Sequence, residues 1–188
     1  ITAALSTGND SVVATNYTGV LTVTSDVDSI TAADTITGGA GTADVLSLSA
    51  AGAALTAAEM ANYTNFEVVK VTDNAATEIV FADSFLASGQ EMTFDVTAMT
   101  STVFTMNGGS ETDGTFNLTT SGSAHHVITL GSGSDSYTSA GTGNATVTAT
   151  AGANTITTGV GADSITGGTA ADNITAGSGA DTFTFATA

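Results

Sequence analysis

The sequence predicts an all-β protein, a parallel β-solenoid or β-roll, and three observations carry that prediction. Residues 121–184 can be laid down as seven nine-residue units in one frame, broken only by Ser139. Within each unit a Gly-rich half alternates with a short segment centred on Ile, Val, Tyr or Phe. The chain also lacks Cys and Pro, so no disulfide staples the fold and no Pro interrupts its strands.

The units are SGSAHHVIT, LGSGSDSYT, AGTGNATVT, ATAGANTIT, TGVGADSIT, GGTAADNIT and AGSGADTFT. Their ninth residue is always Thr, and their second is Gly in six of seven. The polar–apolar–Thr segment suits a short strand, because alternate side chains point to opposite faces and β-branched residues favour the pleat. The Gly-rich half permits the positive φ of a tight turn. One such strand cannot bury its apolar side alone, so units must stack. Two units then make one coil of a flattened solenoid, with Ile156, Ile165, Ile174 and Phe183 in its core and coils ~4.8 Å apart.

Stacking places residue n over residue n+18. The sixth positions then fall into two turn rows: His126, Ala145, Asp163 and Asp181 on one side, Asp135, Asn154 and Asp172 on the other. Carboxylates one strand spacing apart repel by ~1 kcal/mol even in water. The chain carries 18 acidic residues and a single Lys or Arg, Lys70, for a net charge of −17. A divalent cation is the economical counter-charge. Calcium accepts six to eight oxygens at about 2.4 Å, which carboxylates and turn carbonyls of two coils can supply. The expected ligands are Asp163 with Asp181, beside Gly161 and Gly179, then Asn154 with Asp172, then Asp135 with Asn154.

The last three units resemble the nonapeptide of RTX (repeats-in-toxin) calcium β-rolls, with TGVGADSIT, GGTAADNIT and AGSGADTFT as consecutive copies. The resemblance implies calcium in successive turns and export of an extended chain that folds outside the cell. Ala145, His126 and Asn154 depart from the pattern, which implies gaps in the cation column.

Residues 1–49 use the same vocabulary less regularly, and read as an irregular solenoid segment. STGNDSVV, DSIT and ADTITGGAGTADVLSLS each place Asp before an apolar strand position. GGAGTADVLSL is the nonad with Ala43 inserted. Asp34 and Asp44 are read as calcium ligands there, with ordinary Asp turn residues as the equal alternative. Residues 50–120 drop the nonad. TAAE at 56–59 has capping-box spacing and predicts a short helix. FEVVKV, EIVF, MTFDV, TVFTM and TFNL predict strands of wider coils or of a small sandwich. The order of Leu46-x-Leu48, NFEVVKVTD, strands and repeats is similar to that of bacterial surface-layer and large RTX-type secreted proteins. The third segment, 121–188, is the β-roll.

So acidic a chain is a poor partner for nucleic acid or for anionic membrane surfaces. No apolar run approaches a membrane span. Neither end reads as a secretion signal, and the first residue is not Met, which suggests a processed product or the ordered part of something longer. Adjacent His125 and His126 are expected at a turn or on the surface. Catalytic motifs such as HExxH, GxSxG and the P-loop are absent from the sequence, so the chain reads as a non-enzyme. The expected function is a calcium-stabilised bacterial protein of the cell surface or extracellular matrix. Its expected partner is itself, in a sheet or filament. An ice-binding or adhesin module is the alternative, suggested for ice by the Thr ladder and GTGN at 141–144. A non-catalytic RTX portion of a larger enzyme or toxin is the other.

Overall fold

The computed structural model describes residues 1–49, 54–75 and 77–185; the segment boundary expected at Ala50 falls outside them. Among the described residues the strands form three sheets of nine, seven and three strands, and every pairing is parallel. The chain winds as a solenoid, and each turn of it adds a strand to the long sheet and one to a facing sheet. The small sandwich allowed for residues 50–120 does not form, and wide parallel coils take its place. The long sheet runs from Thr2–Ala4 to Asn173–Thr175. Thr115–Thr120 pairs directly with Ser136–Ser139, so residues 120 and 121 lie within one continuous stack.

A single inward column shows how coil length changes along the stack. Val23, Leu46 and Val69 succeed one another at 23-residue steps. Val69, Phe94 and Leu118 follow at 25 and 24, Leu118, Tyr137 and Ile156 at 19, and Ile156 to Ile174 at 18. Wider coils enclose more volume, and large side chains fill it. Phe81 packs against Phe85, Phe94 and Phe116 with ring centroids 4.9, 5.5 and 5.4 Å apart, and Phe94 against Phe104 at 5.3 Å. In the 18- and 19-residue coils Val147, Ile156 and Ile165 suffice, each fully buried or nearly so. The nonad is thus the narrow limit of one architecture, and the middle segment is its wide form.

The third coil hands one facing sheet to the other. It contributes Ala54–Leu55 to the seven-stranded sheet and Tyr63–Thr64 to the three-stranded one. Between them lies the helix Ala57–Met60, capped by Thr56 and Glu59 in a reciprocal box. One expected strand is absent: DSIT forms the 3-10 turn Val27–Ser29, because Asp26 accepts the Asp28 N–H at 3.1 Å and diverts the backbone. Ile30 is still buried, but not from a strand.

Candidate metal centre

The turns before the strands carry the carboxylates. Each Asp or Asn at a sixth position reaches back one coil and accepts a backbone N–H. On the long-sheet side, Asp135 Oδ1 accepts from Phe116 at 2.8 Å, Asn154 Oδ1 from Asp135 at 2.9 Å, and Asp172 Oδ1 from Asn154 at 2.9 Å. On the facing side, Asp163 Oδ1 accepts from Ala145 at 2.7 Å and Asp181 Oδ1 from Asp163 at 3.0 Å. These bonds align the two expected rows. Ser139 is absorbed as a buried residue, and it lengthens the coil from Tyr137 to Ile156 without breaking the row.

One oxygen of each carboxylate is therefore used, and the other decides the chemistry. Asp135 and Asp163 are each 2% exposed, and the Oδ2 of each is buried without a hydrogen-bond partner. Burial pushes the Asp135 carboxyl up to about 6, against the hydrogen bond from the Phe116 backbone, and the charge of Glu111 pushes it the same way as burial. A buried acceptor with no donor is costly and calls for a cation or a proton. Lys70 cannot serve, since it lies 3.9 Å from Asp95 on another face.

The glycines make the turns close enough to share a ligand. Gly179 has φ of 146°, which L side chains rarely adopt, and a Cβ there would overlap the Gly161 carbonyl. A Cβ at Gly161 would meet the Gly143 carbonyl at 2.8 Å. Turn carbonyls thus stack beside the carboxylates. The donor set is all oxygen, with no Cys in the chain and no His in either of the turns just described, and it fits a hard divalent cation.

Asn154 behaves differently from its neighbours. Its Nδ2 donates to the carbonyls of Ala151 at 2.9 Å and Gly152 at 3.0 Å, and to Asp172 Oδ1 at 3.0 Å. The amide group thus satisfies oxygens that a cation would otherwise bind. Asn144, one residue before Ala145, accepts the Ala162 N–H at 2.9 Å and adds an acceptor to a turn whose sixth position has none.

Asp34 and Asp44 occupy equivalent turns near the N-terminus, both fully buried. Asp44 Oδ1 accepts from Leu21 N–H at 2.7 Å and Oδ2 from Gly39 N–H at 2.6 Å. Asp34 accepts from the N–H groups of Asp10 and Thr31 and from the Tyr63 hydroxyl. Burial would raise the Asp34 carboxyl, but those bonds outweigh it and hold it below the usual range. The chain itself satisfies both oxygens of both residues, which matches the ordinary turn role. Glu67 continues the Asp44 row and accepts the Asp44 N–H at 2.9 Å, a link visible in the sequence only as a 23-residue step.

The two histidines part company. His125 is exposed and bonds Thr146 Oγ1 at 2.8 Å. His126 is neither a turn nor a surface residue: it starts the strand His126–Thr129, points inward beside Phe104, and is 2% exposed. Burial lowers its pKa, so the ring is held neutral.

A family model described as the RTX calcium-binding nonapeptide repeat (4 copies) matches residues 139–172 and 148–183. No curated protein and no solved structure matches the chain. The matched repeats are calcium-binding, and they include Asp163, Asp172 and Asp181. Residues 139–183 thus carry RTX calcium-binding nonapeptide repeats, and they are wound into the parallel coils of a β-roll.

Proposed function

We propose that this chain is a calcium-stabilised, non-catalytic extracellular protein that assembles with copies of itself into a surface layer or filament. The observation that carries the calcium dependence is the pair of buried, donorless oxygens on Asp135 and Asp163 in a chain with one Lys and no Arg. Asp135, Asp163, Asp172 and Asp181 would hold the ions with turn carbonyls; Asn154, whose amide group fills the same role, would leave a gap. Calcium supplies the positive charge that lets these turns close. Extracellular sites of this kind commonly have Kd around 10⁻⁴–10⁻³ M, so they would fill outside the cell and stay empty inside it.

Assembly is supported by the charge and the architecture. Copies at −17 repel one another until cations neutralise them. Solenoid coils pair through backbone edges, and carboxylates of adjacent copies can share ions. No helix among the described residues is long and apolar enough to cross a membrane. Light scattering with negative-stain microscopy during stepwise calcium removal tests the proposal. Ordered assemblies that dissolve on chelation are expected, and strict monomers at high concentration in millimolar calcium would refute it.

A second reading rests on the outward columns Thr148–Thr166–Thr184 and Thr146–Ser164–Thr182 of the seven-stranded sheet. Flat, regular hydroxyl arrays of this kind suit an ice-binding face. Inhibition of ice recrystallisation by the calcium-loaded monomer would favour it over assembly.

A further inference from the structure

Two coils of the long-sheet side, outside the nonads, gather a second kind of carboxylate cluster. Glu111 is fully buried between the strands Phe104–Asn107 and Thr115–Thr120. Its Oε1 accepts the N–H groups of Asp113 at 3.2 Å and Gly114 at 2.8 Å. Its Oε2 is shut from water without a hydrogen-bond partner. Asp83, from the preceding coil, is held there by Thr112, which donates its N–H at 2.9 Å and its hydroxyl at 2.7 Å to Asp83 Oδ1. Carboxylate oxygens of Asp83, Glu111 and Asp113 all lie within 4.8 Å of one another.

We infer that Asp83, Glu111 and Asp113 form a calcium site of their own, with no repeat signature, at the foot of the RTX column. Three carboxylates at this separation repel strongly, and the chain donors on Glu111 and Asp83 reach one oxygen of each, Oε1 and Oδ1. The ligands are all oxygen, and the spacing can be spanned by a cation with bonds of about 2.4 Å. The next coil packs directly on the cluster. Ser132 donates its N–H to the Glu111 carbonyl at 2.9 Å, and a Cβ on Gly131 would come within 2.8 Å of that carbonyl. Gly131 begins the turn that leads to Asp135, whose carboxylate feels the Glu111 charge. An ion here removes that repulsion and joins the wide coils to the narrow ones.

The test uses the full chain. Bound calcium per chain is measured by equilibrium dialysis for wild type, Glu111→Gln, and the double variant Asp83→Asn with Asp113→Asn. Melting is followed in millimolar calcium and in EGTA. Each variant should bind one ion fewer than wild type. Glu111→Gln should melt above wild type in EGTA, where a buried charge is removed, and below it in calcium, where a ligand is lost. Adding Asp163→Ala should remove a further ion, which separates this site from the nonad sites. The inference is overturned by wild-type stoichiometry in the double variant, by a Glu111→Gln gain in both conditions, or by equal protection from magnesium. If Glu111→Gln fails to fold, the double variant, built on two exposed positions, still decides the matter.

Discussion

Asp44 and Asp163 each stand one residue ahead of a strand, Asp44 on the long-sheet side and Asp163 on the facing side, and both are buried. Asp44 receives an N–H on each oxygen, from Leu21 one coil back and from Gly39 in its own turn. Asp163 receives only the N–H of Ala145 and leaves Oδ2 without a donor. The difference lies in turn length. A 23-residue coil has a loop long enough to curl a backbone N–H towards its own carboxylate, whereas an 18-residue coil has no slack for that. In the shorter coil one oxygen of the buried aspartate is left without a donor.

The largest consequence of this contrast is regional. Removing calcium should unfold residues 121–185 and spare the wide coils of residues 22–75, which precede Asp83. Amide hydrogen exchange with and without EGTA should show protection falling by about 100-fold or more, equivalent to ~3 kcal/mol, over the narrow coils and far less over residues 22–75. A uniform loss along the chain would dissolve the distinction.

Single substitutions should separate the two aspartates next. Asp44→Ala orphans two buried N–H groups and should cost roughly 2–4 kcal/mol in calcium and in EGTA alike. Asp163→Ala should destabilise strongly in calcium and far less in EGTA, where its unpaired oxygen is a burden. Denaturant melts under both conditions read this directly. Equal calcium dependence for the two would show that both bind ions.

Asp135 gives a pH signature of the ion-free state. Its carboxyl is raised from 3.8 to about 6, so the folded chain holds more protons than the unfolded chain between those values. Its contribution to stability is full below about pH 4 and is lost as pH rises through 6. In EGTA, Asp135→Asn should therefore exceed wild type by about 1–3 kcal/mol at pH 7.5 and lose that advantage by pH 4. An advantage independent of pH would remove burial of the charge as its cause.

The smallest effect expected is at Asn154. Asn154→Asp exchanges an amide donor for a carboxylate between Asp135 and Asp172. It should add about one bound calcium per chain and lower apo stability by roughly 1 kcal/mol. Unchanged stoichiometry in dialysis would mean that the gap has another origin.

Much of this was legible in the residues. The nonad frame places the seven narrow strands, the two turn rows and the inward Ile156 and Ile165, because a repeat of nine leaves little freedom in where a short strand and a Gly turn can fall; Ile174 is only half-buried and Phe183, expected in the core, is exposed on the last strand of the stack. The capping box at Thr56 and Glu59 is a local signal and is read locally. DSIT was misleading because Asp26, two residues earlier, supplies a competing acceptor. His126 was missed because Phe104, its row-mate one coil back, becomes apparent only when coils of unequal length are stacked.

By itself the sequence determined that the chain repeats, that its strands are parallel and stacked, and that its charge calls for cations. Tertiary structure alone decided which carboxylates are satisfied. Asp34, Asp44, Asp135 and Asp163 look alike in one dimension. Whether a second N–H reaches each of them depends on loop slack and on the coil beneath. For the same reason Glu111 is isolated in sequence from Asp83, yet the stack brings their oxygens together. Register between the wide coils of 23 to 25 residues is set by core packing, and no local pattern encodes it.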